Sequence, residues 1–112
     1  NYGKVYQSPH SYNNKFGVPL SLSNLKRNTE YGIFEIGMDK KGEIDNLSKI
    51  VKPETAIITN ISGAHFKNFN TLTDIAKAKA EIIDNILDGG NIILNKDDKF
   101  FNFLSNKARK KK

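Results

Sequence analysis

Residues 53–83, PETAIITNISGAHFKNFNTLTDIAKAKAEII, decide how this chain folds. Pro53 closes the helical pattern before it, because proline cannot continue a helix. TAIITNI, Thr55 to Ile61, is a short apolar run rich in β-branched residues, which predicts a strand buried on both faces. Ser62 to Asn70 is a polar loop that holds His65. From Thr71 to Leu87, the residues Leu72, Ile75, Ala76, Ile82, Ile83 and Ile86 recur at spacings of three and four. That is the apolar stripe of one long amphipathic helix. Lys79 falls in the middle of the stripe, whereas Lys77 points the other way, where a lysine belongs.

Working outward, the same alternation continues in both directions. Lys4 to Gln7 predicts a strand, Ser8 to Gly17 a polar turn region, and Val18 to Leu25 a short helix starting near Pro19. YGIFEI, Tyr31 to Ile36, predicts a second buried strand, followed by a loop over Gly37 to Gly42. Glu43 to Val51 is helical, with Ile44, Leu47, Ile50 and Val51 on one face. Asp88-Gly89-Gly90 is a stop signal, Asn91 to Leu94 a further strand, and Lys99 to Ala108 a last helix. Strands alternating with helices predict an α/β fold, a mostly parallel sheet flanked by helices. Residues 1–112 form one domain or one piece of one, with a basic tail at 107–112.

Composition limits the function classes. Of the 112 residues 38% are hydrophobic and 27% charged, ordinary for a globular protein. No apolar run approaches the roughly 18 residues of a membrane span, and no signal peptide is visible. The absence of cysteine excludes a disulfide framework and a thiolate metal site. A cytoplasmic location fits these features. The net charge of +6 suggests nucleic acid only until it is divided. Removing Lys107, Arg109, Lys110, Lys111 and Lys112 from the 18 basic residues leaves 13 against 12 acidic ones. The body is near neutral and its lysines alternate with acids, so no nucleic-acid partner is expected.

In an open parallel sheet, ligands bind beyond the carboxyl ends of the strands. Each expected strand ends in polar groups there: Ser8 to Asn14, Glu35, Asn60 with His65, and Asn95 with Asp97 and Asp98. Glu35 places a carboxylate within an apolar strand, where an unpaired charge is costly. A metal or cation would relieve it, and so would a lysine or simple exposure at the strand end. Asp97-Asp98 suit either a cation or a helix N-cap. Lys79 has three readings. It snorkels to water, it pairs with Glu35 or another acid, or it is a desolvated free amine able to take up carbon dioxide and become a metal-binding carbamate. Periodicity does not choose among them.

Five segments in register, SYNNKFGVPLSL, FEIGMDKKGEI, PETAIITNISGAHFKNF, IAKAKAEI and IILNKDD, resemble the central domain of the Mur ligases from about Ser8 to Asp98. The NN-GVPL start and the E-G-GEI block resemble the branch that adds D-alanyl-D-alanine to UDP-N-acetylmuramoyl-tripeptide in peptidoglycan synthesis, and so in cell wall formation, cell shape and cell division. The resemblance implies an ATP-dependent ligase with Mg2+ as cofactor, working through an acyl phosphate. It implies that Glu35 binds magnesium, that His65 helps hold a second magnesium, and that Lys79 is carbamylated beside metal and phosphate. His65 and Lys79 are then the catalytic candidates. Asn14 and Asn60 are implied to lie near the ATP phosphates, and Ser11 and Asn13 near the substrate. Ser11 stands where the family often has Asn, Ser8 where Thr is common, and Asn70 where a glycine is usual. The family's phosphate loop, GxxGKT, is expected before Asn1. The nucleotide-linked-substrate domain and the C-terminal domain are expected elsewhere in a longer parent chain, so the 112 residues alone are expected not to ligate anything. Another ligase of the superfamily, such as a folylpolyglutamate synthase, and a non-catalytic α/β binding module are the rival readings.

Overall fold

The computed structural model describes residues 3–63 and 68–111. Among the described residues, nine elements follow one another along the chain. They are β1 (Val5–Gln7), α1 (Gly17–Ser23), β2 (Tyr31–Ile33), α2 (Glu43–Val51), β3 (Thr55–Ile58), α3 (Leu72–Lys79), α4 (Glu81–Asp84), β4 (Asn91–Leu94) and α5 (Phe101–Lys110). Strand pairing among the described residues is parallel, as the strand–helix alternation predicts. β1 pairs with β2 in the register Val5↔Tyr31 to Gln7↔Ile33. β3 pairs with β4 from Thr55↔Asn91 to Ile58↔Leu94. Among the described residues these are two separate two-stranded ladders. Parallel pairing puts the carboxyl ends of β1 and β2 together, and likewise those of β3 and β4, so each ladder has one edge able to carry a site.

Helix boundaries follow local chemistry. Thr71 caps α3 with its hydroxyl, which accepts the Asp74 N–H at 3.1 Å. At the other end of α2, Lys52 takes a left-handed conformation (φ 51°) directly before Pro53. The N-terminus of α2 is completed from a distance. The Glu81 carboxylate accepts the N–H of Gly42 at 2.9 Å and of Asp45 at 3.1 Å, placing a negative charge at the positive end of the helix dipole. Asn85 donates to the Asp45 carboxylate at 3.0 Å and to Ser48 Oγ at 2.9 Å.

These contacts account for one departure from the predicted long helix over Thr71 to Leu87. It is broken at Ala80 into α3 and α4, and its last turn tightens through Asn85 N–H to the Ile82 carbonyl at 3.1 Å. The break aims Glu81 and Asn85 at α2.

Met38, Ile44, Ile58, Ile61, Phe69, Ile75, Ala76, Ala78, Ala80, Ile83 and Leu104 form a single buried cluster, with Ile75 fully buried and Ile83 1% exposed. The predicted buried strands are less covered than expected. β2 ends at Ile33 rather than Ile36, and all three of its residues are exposed. β3 ends at Ile58 and alternates, with Ala56 and Ile58 inward and Thr55 and Ile57 outward. That period-two pattern is what one covered face produces. Ile50, assigned to the inner face of α2, is likewise exposed.

The basic tail is largely helix. α5 runs to Lys110, Lys107 bridges to Asp84 at 2.7 Å, and Lys111 donates to the carbonyls of Asp84 and Ile86. Cations are thereby set on the negative end of α4. No described helix is long and apolar enough to cross a membrane.

Candidate functional site

The residues singled out in the sequence fall into two hydrogen-bonded groups, one beyond each ladder. The first follows β1 and β2. Glu35 lies two residues past the end of β2 and is exposed, so the argument from burial in an apolar strand does not hold for it. It is held instead by polar contacts. Its backbone N–H donates to Ser8 Oγ at 3.1 Å, and its Oε1 accepts from the Asn13 side-chain amide at 2.7 Å. Asn13 also accepts the Gly37 N–H through its carbonyl at 2.7 Å. A Cβ at Gly37 would lie 3.0 Å from Asn13 Cγ, so any larger residue there would press on the Asn13 side chain of this clamp.

Asn14 works on the backbone. Its Oδ1 accepts the N–H of Phe16 at 3.0 Å and of Gly17 at 2.9 Å, an Asx turn that starts α1. Ser11 sits at φ 68°, exposed, with its Oγ 2.8 Å from His10 Nδ1. Asn13, expected near substrate, therefore lies against the carboxylate expected to bind metal.

The second group follows β3 and β4. Lys79, the last residue of α3, is half-buried, whereas Lys77 is exposed. The inward placement predicted from the stripe is correct. The pairing with Glu35 is not what the structure contains: Lys79 Nζ donates to the backbone carbonyl of Asn60 at 3.0 Å. Burial pushes the Lys79 ammonium below its ordinary value of 10.5, and the Asp98 charge works against that shift. Asp98 neither caps α5 with a turn alone nor stands free for a cation. Its Oδ2 accepts the Ile61 N–H at 2.6 Å and its Oδ1 the Phe100 N–H at 2.8 Å. Asp97 is exposed.

His65 lies outside the described residues. Among the described residues no cluster of three or more His, Cys, Asp or Glu could hold a metal alone. Glu81 and Glu43 were missed as organising carboxylates. Glu81 reaches the Gly42 and Asp45 amides, which only the folded chain brings near, whereas Glu43 takes the amides of Asp39 and Lys40 just before it, a local contact that apolar periodicity does not report.

The sequence matches the family model for the Mur ligase middle domain over residues 1–112. It is 41% identical over 98 residues to the UDP-N-acetylmuramoyl-tripeptide–D-alanyl-D-alanine ligase of Rickettsia prowazekii, covering 88% of this chain and 22% of that protein. The Bacillus subtilis enzyme of the same name is 39% identical over 90 residues, covering 80% of this chain and 20% of that protein. The chain thus spans about a fifth of the length of these curated relatives. Among solved structures, MurF from Acinetobacter baumannii superposes with a TM-score of 0.93 at 35% identity, over 96% of this chain and 24% of that one. MurF from Thermotoga maritima, in complex with ADP, gives 0.86 at 27% identity, over 99% and 25%. Through a family match along its whole length, this chain belongs to the Mur ligase family, as the family's middle domain.

Proposed function

We propose that the protein containing this chain is an ATP-dependent ligase that joins D-alanyl-D-alanine to UDP-N-acetylmuramoyl-tripeptide in the cytoplasm, for peptidoglycan synthesis. The observation that carries the reading is Lys79. A half-buried lysine, fixed at the carboxyl end of a parallel strand by the Asn60 carbonyl, sits where α/β folds bind ligands. The likeness to ligases of that name supports the choice of substrates.

In this reaction the tripeptide carboxylate takes the γ-phosphoryl group of ATP, giving an acyl phosphate and ADP. The amine of the dipeptide then attacks the acyl carbon. Phosphate leaves and the amine loses a proton as the amide forms. Two anions, the carboxylate and the ATP γ-phosphate, must be held together, and divalent cations together with positioned donors reduce their repulsion.

The side chains fit Mg2+ as part of a shared site rather than as a complete cage. Mg2+ is commonly bound by one or two carboxylates with phosphate oxygens and water completing the shell. Glu35 is an exposed strand-end carboxylate with one oxygen held by Asn13, which suits one such ligand. His65 and a carbamate on Lys79 would add to it, and Asn14 and Asn60 flank the phosphates. Carbamylation needs the free amine, and burial already disfavours the ammonium of Lys79. The carbamate would turn an inward cation into an inward anion able to face magnesium.

The test uses the full-length protein. ATP-dependent phosphate release is measured with UDP-N-acetylmuramoyl-tripeptide and a panel of amines. D-alanyl-D-alanine is expected to be the preferred amine, and Lys79→Ala to lower kcat by about 100-fold or more, the scale of losing a transition-state stabilising group. Preference for glutamate or another single amino acid would point to a different ligase of the family. Unchanged activity in Lys79→Ala would refute the role of the lysine.

A further inference from the structure

Asn60 O and Ile61 N belong to one peptide group. Lys79 Nζ donates to that carbonyl at 3.0 Å, and Asp98 Oδ2 accepts that N–H at 2.6 Å. In a trans peptide the C=O and N–H point in opposite directions in one plane, so lysine and aspartate grip the same unit from its two sides. The second oxygen of Asp98 is taken by the Phe100 N–H at 2.8 Å. The carboxylate is therefore fixed at both ends, to the exit of β3 and to the entrance of α5.

We propose that Asp98 is a positioning residue for Lys79, acting through the Asn60–Ile61 peptide; its value for catalysis rests on the ligase reading above. Accepting the N–H holds the peptide plane in one orientation, so the carbonyl stays aimed at the lysine. It also polarises the peptide, which makes the carbonyl a better acceptor. Lys79 stands at the end of α3, directly before the break at Ala80, where its own helix constrains it least. The peptide supplies the fixed point that the helix does not. Asn would not satisfy both amides in this way, because it has a single acceptor oxygen and would turn its NH2 towards the other N–H.

The experiment is lysine acetylation of the full-length protein, free of bicarbonate and magnesium, read residue by residue by mass spectrometry. Lys77 on the exposed face is the internal standard. In the unsubstituted protein Lys79 reacts more slowly than Lys77. In Asp98→Asn the Lys79 rate, corrected for protonation by a pH series because loss of the Asp98 charge also frees the amine, rises by about tenfold, the scale expected for loss of a charge-assisted contact, while Lys77 is unchanged. Asp97→Asn leaves both rates alone. An unchanged Lys79:Lys77 ratio in folded Asp98→Asn overturns the proposal. Amide exchange in the unsubstituted protein tests it without any variant: a protected Ile61 N–H supports it, and an unprotected one overturns it.

Ligase kinetics separate the two readings. A kcat lowered by about tenfold with KM for ATP nearly constant supports positioning of Lys79 for the reaction. A faster Lys79 acetylation with unchanged turnover would overturn Asp98 as a positioning residue for the reaction, while the Lys79→Ala variant tests the use of the lysine by itself.

Discussion

The two ladders hold their functional groups by different means. Beyond β1 and β2, Glu35, Ser8 and Asn13 are tied by side-chain hydrogen bonds in a region where all of β2 is exposed. Beyond β3 and β4, Lys79 and Asp98 meet at a peptide next to Ile61, which is part of the buried cluster with Ile58, Ile75 and Ile83. One group is built on a hydrophobic core and the other on a local polar clamp. The difference teaches that stability and positioning are separable in the first half and fused in the second.

The sharpest way to break that comparison is to remove apolar volume from each half. Ile75→Ala, at a fully buried position, is expected to cost about 3 kcal/mol of stability, the usual range for emptying a core site. Ile33→Ala, at a residue 58% exposed, is expected to cost under about 0.5 kcal/mol. Denaturant unfolding of the full-length protein gives both. Equal losses would show that the β1–β2 face is covered and that the contrast belongs to the isolated segment.

The same contrast explains what could be read in the sequence. α2 and β4 were legible to the residue, because their apolar spacing agrees with caps and turn residues at both ends. The inward lysine was legible because a 3.6-residue period fixes its direction. The break at Ala80 was not, since it depends on Glu81 and Asn85 reaching α2, some forty residues away in sequence. Nor was the exposure of Glu35. FEIG looks like buried strand, but the strand ends at Ile33 and the loop is organised by Ser8 and Asn13. Which member of Asp97-Asp98 matters was equally hidden, because the deciding partner, Ile61 N–H, comes from the segment that follows β3, 37 residues away in sequence.

A smaller effect sharpens the first half of the comparison. Asn13→Ala removes the donor to Glu35 and leaves the Asn13 carbonyl bond to Gly37 in place. Thermal unfolding of the full-length protein is expected to be nearly unchanged. The Mg2+ concentration for half-maximal ligase activity is expected to rise by about fivefold, because the carboxylate loses the contact that orients it. A large drop in Tm with unchanged Mg2+ dependence would make Asn13 structural and move the clamp into the same class as the core.

The smallest expected effect concerns the loop that joins the two halves. Glu43, at the start of α2, accepts the N–H of Asp39 at 2.6 Å and of Lys40 at 2.9 Å. These bonds, the Asp39 one foremost, hold its carboxyl below the ordinary value of 4.5. A lowered folded value means that the unfolded chain binds the proton more tightly. The stabilisation is therefore complete above the unfolded value and is lost as the pH falls through the folded one. Glu43→Gln should leave a shallower fall of stability over about pH 3–5 and little change in its shape near neutrality. Residues 39–42 of the variant should exchange their amides faster at neutral pH, with α3 and α5 unaffected. If amides across the core speed up as well, the loop is part of the cooperative unit and the two halves do not unfold separately.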